Sequence, residues 1–220
     1  MADRPTLPAT DADDASTRGR LIEAAGEVFA DEGFRNATVR AICRRAGANV
    51  AAVNYHFGGK QALYNAALRL HMDEAMCGPA FEAGPDATPR ERLALFVGVM
   101  LRHMLQKGAD TWHGRLMMRE MAEPTEYTDE HVERFVRPAM AILEAILDDW
   151  IGDADVSAER RLRLVQSIIG QVLFFFHGRQ VMSRLKPDLA WDAAEADRAT
   201  EHIVAFSSFG IEAARRGELA

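Results

Sequence analysis

The chain has 220 residues, 48% of them apolar, which is enough for one large or two small domains with a real core. Its two cysteines, Cys43 and Cys77, exclude a disulfide scaffold and a four-cysteine zinc site and suit a reducing compartment. The longest strongly apolar run, Val172 to Phe176, falls far short of the roughly 20 residues that cross a bilayer, so a soluble, cytoplasmic protein without membrane contact is expected. A net charge of −7 argues against nucleic acid until its distribution is considered. Residues 35–60 hold Arg35, Arg40, Arg44, Arg45 and Lys60 and no acid, so that segment is +5 and the rest of the chain is −12. A local basic field on an acidic protein is the electrostatic footprint of a phosphate-binding surface.

In chain order, residues 1–15 lack an apolar stretch, are rich in Asp and Pro, and are expected to form a disordered leader. No signal-peptide pattern is visible there. A first helix is expected from about Ser16 to Glu32, with Leu21, Ile22, Ala25, Val28 and Phe29 on one face and Gly33 ending it. Thr38 is a good N-cap for a second helix carrying Val39, Ile42, Cys43 and Ala46 at helical spacing, and Gly47 stops it. Asn49 can cap a short third helix that buries Val53 and Phe57, broken by Gly58-Gly59, and a fourth begins near Lys60.

Residues 77–89 hold turn-formers and little periodicity, as a hinge would. Thr88-Pro89-Arg90-Glu91 then spells a capping box. Longer helices follow at about 89–107, 112–122, 128–151, 158–185 and 193–216. No segment shows sustained period-2 alternation, so the fold class is all-α. The expected division is a leader (1–15), a helix-turn-helix domain with its connecting helix (16–76), and a larger helical domain (77–220).

Three short helices with a glycine-containing turn between the second and third describe a helix-turn-helix unit, whose last helix enters the major groove. Here that helix offers Val50, Ala51, Ala52, Asn54 and Tyr55 outward. Asn pairs well with adenine, and Ala or Val packs on a thymine methyl. Arg44 and Arg45 belong to a solvated face of the supporting helix that lies close to the DNA backbone.

The stretch Thr38-Val39-Arg40-Ala41-Ile42, Ala46-Gly47-Ala48-Asn49-Val50-Ala51-Ala52-Val53-Asn54-Tyr55-His56-Phe57 and Lys60-Gln61-Ala62-Leu63 resembles the DNA-binding domain of the TetR family of bacterial regulators. With Ala25, Phe29 and Gly33 the resemblance covers about residues 16–65. It implies that Thr38 and Asn49, at helix N-termini, meet phosphates. Tyr55, His56 and Lys60 would contact phosphates or bases at the far end of the reading helix, and Val50, Ala51, Ala52 and Asn54 would face the bases. Ala41 stands where the family often has an acid, Asn49 where Ser or Thr is usual, and Asn54 where Tyr is common. Arg119 to Thr125 with Arg137-Pro138 is similar to the C-terminal domain of a CerR-like or CecR-like subgroup.

The helix expected at 158–185 is apolar nearly all round from Ile168 to Phe176 and must be buried on all sides. With Ile203, Val204, Phe206, Phe209 and Ile211 of the last helix it could cover both its own core and a second copy of the chain, and the family resemblance implies such a homodimer. Trp112, Met117, Met121, Phe135, Phe174 and His177 are candidates for an adaptable pocket that holds a small-molecule effector. Glu120 and Glu123, beside Arg119, read as a solvated face. Scattered histidines, no phosphate loop and no nucleophile elbow leave no case for an enzyme, a metal or a cofactor. The expected function is therefore a DNA-binding repressor that is a homodimer on a palindromic operator and is released by a ligand. The alternative is a DNA-bound protein whose C-terminal domain recruits a protein partner.

Overall fold

Side-chain caps written in the sequence set most of the helix starts. The Thr38 hydroxyl accepts from Ala41 N at 3.1 Å, Asn49 Oδ1 accepts from Ala51 N at 3.0 Å, and Asp192 Oδ1 accepts from Glu195 N at 2.9 Å. The capping box forms reciprocally, with Thr88 N donating to Glu91 Oε2 at 2.8 Å and Glu91 N donating to the Thr88 hydroxyl at 3.3 Å. This computed structural model describes residues 11–71, 81–106 and 111–218. The helices are α1 (Asp11–Asn36), α2 (Val39–Ala46), α3 (Val50–Phe57), α4 (Lys60–His71), α5 (Pro89–Gln106) and α6 (Trp112–Ala122). They continue as α7 (Tyr127–His131), a π-helical turn (Val132–Val136), α8 (Arg137–Ile151), α9 (Ala158–His177), α10 (Arg179–Leu185) and α11 (Ala193–Arg215). The described residues contain no strand, and none of their helices is long and apolar enough to cross a membrane.

Three sequence expectations shift. Residues 11–15 of the expected leader are already helical, in line with the helix preference of Ala12 and Ala15, while residues 1–10 and 77–80 lie outside the described part. Gly33 does leave helical geometry (φ 78°, ψ 162°), yet Ala37 N bonds back to Gly33 O and one more turn follows before α2. The helix expected at 158–185 is two helices. At Gly178 a Cβ would lie 2.7 Å from the Phe174 carbonyl oxygen, and the chain re-aims there into α10.

Two apolar cores result. One joins α5, α8, α9 and α11 through residues such as Phe96, Leu101, Leu143, Ile168, Val172 and Ile203. The other is the core of the N-terminal head, with Leu21, Ala25 and Phe29 of α1, Ile42 of α2, Val53 of α3 and Leu63 of α4. It does not stop where the head was expected to end: Trp112, Leu116 and Met117 of α6 and Tyr127 of α7 are part of it. A helix assigned by sequence to the second domain is thus the floor of the first.

The closest approach in that floor is between α1 and α6. The Trp112 ring lies over Gly26, where a Cβ would come within 2.1 Å of it, and Trp112 Nε1 donates to Glu23 Oε2 at 2.9 Å. Only glycine leaves room for the ring. Gly26→Ala should lower stability by about 1–3 kcal/mol through overpacking. The same substitution should cost much less in a Trp112→Ala background, a coupling that denaturant titration of the four proteins would measure.

Candidate nucleic-acid interface and the cavity behind it

The turn between α2 and α3 is built on Gly47, left-handed at φ 61° and ψ 36°, whose N–H closes α2 on the Cys43 carbonyl. That turn and the two caps leave α3 standing off the head with one buried anchor, Val53. Val50, Ala51, Asn54 and Tyr55 are exposed, and Tyr55 at 78% is among the most exposed large side chains described. Ala52 differs from its expected place, because it is half-buried and packs on the head core. Phe57 is only partly buried, and Arg18 of α1 lies over its ring at 5.4 Å. His56 is half-buried, its ring 5.0 Å from that of Tyr55.

The N-termini of α2 and α3 carry no acid in their first turns, so the partial positive charge of both ends is uncompensated by side chains. Thr38 and Asn49, both exposed, sit at those ends. Arg40 and Arg44 are exposed on α2. Arg45 is exposed as well, but its guanidinium is paired with Glu27 of α1. Lys60 folds back: its ammonium lies 4.7 Å over the Phe34 ring and donates to Arg35 O at 3.4 Å, and burial lowers its pKa. Arg40 of the basic window borders the same surface, as does Arg18, which the sequence did not single out. Arg18 lies outside the acid-free window, and only its packing on Phe57 brings it to α3.

Behind the head, a cavity of about 220 Å³ opens between α5, α6, the π-helical turn, α8 and α9. Met117, Met121, Phe135 and His177, expected at a pocket, line it together with His103, His131 and Met140. Trp112 and Phe174 do not. Trp112 is committed to Gly26, and Phe174 points away from the core at 61% exposure. The π-helical turn places Phe135 and Val136 on the cavity wall.

Between the head and the cavity lies a carboxylate that the sequence reading placed in solvent. Glu120 is only 2% exposed. It accepts from Tyr64 Oη of α4 at 2.7 Å, from Thr125 N and Oγ1 at 2.9 Å each, and from Thr128 Oγ1 at 2.7 Å. Burial alone would raise its pKa, but the hydrogen bonds from Thr128, Tyr64 and Thr125 outweigh it and the net direction is down. Burial and the bond to Glu120 push the Tyr64 phenol well up, so it remains a donor. The spacing of Glu120 and Glu123 beside Arg119 mimics a solvated helix face, and only the approach of α4 and of residues 125–128 reveals the buried role. No cluster among the described residues could hold a metal ion.

Two expectations follow from this geometry. Arg44→Ala should weaken binding to every duplex sequence alike and reduce the salt slope of log K by about one, as one lost phosphate contact does. Arg45→Ala should do less, because Glu27 already offsets its charge; fluorescence anisotropy at several salt concentrations separates the two. Since the folded pKa of Glu120 is lowered, its contribution to stability is present above the ordinary value of 4.5 and is lost as pH falls through the folded value. Glu120→Gln should therefore flatten the acid limb of the stability curve below that pH and cost about 1–3 kcal/mol at neutral pH, both read from denaturant titrations across pH.

Comparison with known proteins agrees with this geometry. The profile of bacterial regulatory proteins of the tetR family matches residues 21–67, and that of the C-terminal domain of the HTH-type transcriptional dual regulator CecR matches residues 89–213. CecR of Shigella flexneri is 29% identical over 175 residues, 74% of this chain and 77% of its own length. The HTH-type transcriptional activator FasR of Mycolicibacterium smegmatis is 37% identical over 76 residues, 34% of this chain and 35% of its own. Among solved structures, a putative transcriptional regulator from Pseudomonas aeruginosa PAO1 shares the fold at a TM-score of 0.65 and 24% identity, covering 90% of this chain and 92% of that one. The hemolysin II transcriptional regulator HlyIIR does so at 0.62 and 18%, covering 88% and 97%. With both the helix-turn-helix head and the C-terminal domain matched, the chain belongs to the TetR family of transcriptional regulators, in the group with a CecR-type C-terminal domain.

Proposed function

We propose that the chain is a cytoplasmic repressor that binds a palindromic operator as a homodimer and lets go when a small molecule fills the cavity behind the head. The observation that carries this reading is the position of α6. Its Met117 and Met121 face the cavity, while its Trp112 rests on α1 and its Glu120 holds Tyr64 of α4. An occupant that displaces α6 must displace the helices that carry α2 and α3. It shifts DNA affinity by its own preference for the displaced arrangement and by no more than that.

Each chain offers one reading helix, with Val50, Ala51, Asn54 and Tyr55 toward bases and with Thr38, Asn49, Arg44 and Lys60 toward phosphates. Ala52 and His56 support that surface from half-buried positions, and Arg45, exposed but paired with Glu27, adds less to it. A dimer presents two such helices to successive major grooves, about 34–36 Å apart. Support for the dimer comes from α9 and α11, which pack on one another and leave Leu162, Phe174, Phe206 and Phe209 exposed, Phe209 at 78%. Apolar side chains of that size on two adjacent helices mark an association surface. A role in recruiting a different protein is less well supported, because the described residues include an apolar cavity suited to a ligand and the exposed phenylalanines lie on the pair of helices a symmetric dimer would use.

Selection of bound sequences from a random duplex library at about 150 mM salt tests the reading, because an inverted repeat is required and a single half-site would sink the dimer. A reporter driven from the selected site reads both directions of transcription, since the CecR relative is a dual regulator. Phe209→Glu with Phe174→Glu should halve the mass seen by sedimentation and weaken operator binding at least tenfold, with helical content unchanged by circular dichroism.

A further inference from the structure

The chemistry of the cavity wall restricts its occupant, given the reading that this cavity is the effector site. None of its lining residues is Asp, Glu, Lys or Arg. Met100, Met104, Met117 and Met140 with Phe135 and Phe176 make a polarizable, adaptable wall, and thioethers pack favourably against aromatic rings. The polar atoms are supplied by histidine side chains. His131 Nδ1 is buried with no hydrogen-bond partner in the protein, and its ring lies tilted against that of Phe135 in the wall, centroids 5.7 Å apart.

Both signs of charge are disfavoured there. Burial lowers the pKa of His131, against an upward pull from Glu120, so at neutral pH the imidazole carries no charge to meet an anion. The carboxylate that acts on His131 is Glu120, which repels an anion. A cation gains no direct partner either, because Glu120 is outside the lining and its oxygens already accept from Tyr64, Thr125 and Thr128. An unpaired charge buried on such a wall is costly. A hydroxyl, by contrast, donates to or accepts from Nδ1 whichever tautomer the ring adopts. As to size, an apolar cavity of about 150 Å³ takes benzene, so 220 Å³ suits one or two rings.

We propose that the effector is an uncharged, mostly apolar molecule of one or two aromatic rings bearing a hydroxyl that hydrogen-bonds His131 Nδ1. Calorimetric titration of the full chain at pH 7.5 with 2-naphthol, naphthalene, naphthalene-2-carboxylate and 2-naphthylmethylammonium tests it. The naphthol should bind at least tenfold more tightly than either ion. His131→Phe should bring its affinity down to that of naphthalene and leave naphthalene binding in place. Ala139→Trp, which fills the cavity, should abolish binding of all four; Val136→Trp, at the exposed rim, serves the same purpose if the first variant does not fold.

Equal or tighter binding of an ion that the filled variants abolish would overturn the chemical class while leaving the cavity as the effector site. No binding by any probe would likewise overturn the class, and unchanged naphthol affinity in His131→Phe would overturn the contact. The effector reading itself is tested apart from these. Naphthol binding that survives in the filled variants, or that leaves the affinity for the selected operator unaltered, would sink it.

Discussion

The contact between α1 and α6 is the constraint on which the rest of the molecule depends. A tryptophan cannot lie flat on a helix unless the residue beneath it has no side chain, and Gly26 under Trp112 meets that requirement. The contact welds a helix of the C-terminal half into the core of the head, which takes up Trp112, Leu116 and Met117. Leu116 and Met117 extend the weld along α6, and Met117 reaches the cavity on its other side. The wall of the cavity and the floor of the reading head are therefore the same helix. In a close-packed interior such an element transmits displacement, because neighbouring side chains have no free volume to absorb it.

A second tie works by a different force. Glu120 is a carboxylate removed from water, which would be strongly unfavourable without donors. Tyr64 supplies one from the head, and Thr125 and Thr128 supply the rest from the start of α7 and the turn before it. The bond to Tyr64 is directional where the Trp112 contact is steric, so together they hold both α4 and α1 on α6. The nearby ion pair of Arg69 with Glu130, bidentate at 2.7–2.9 Å, adds an exposed link between α4 and α7 of lesser weight.

The reading surface shows the opposite economy of contacts. α3 is eight residues long, anchored by Val53 and fixed at both ends by Asn49 and Gly58. Nearly all its remaining surface is left for a partner. Its electrostatics depend as much on what is missing as on what is present: on a chain of net −7, residues 35–60 carry five basic side chains and no acid. Arg45 and Lys60 are partly spent on intramolecular partners, Glu27 and Phe34, which leaves Arg40 and Arg44 as the more open charges on that surface.

By itself the sequence determined the helical class, the caps, the helix-turn-helix and the basic window, because each depends on residues within a few positions of one another. Thr38, Asn49, Gly47 and the Thr88–Glu91 box act through bonds spanning two to four residues, and such signals are written in order along the chain. Tertiary structure decided what depends on distant neighbours. Glu120 looked solvated until Tyr64 arrived from 56 residues away. Trp112 looked like a pocket residue until Gly26 gave it a place on α1. Phe174, part of an apolar run, turned outward at the very stretch that seemed to require burial on every side. Periodicity states which face of a helix is apolar, but a helix can spend that face on its own core, on a cavity or on a second chain, and the choice is made only when the other helices pack.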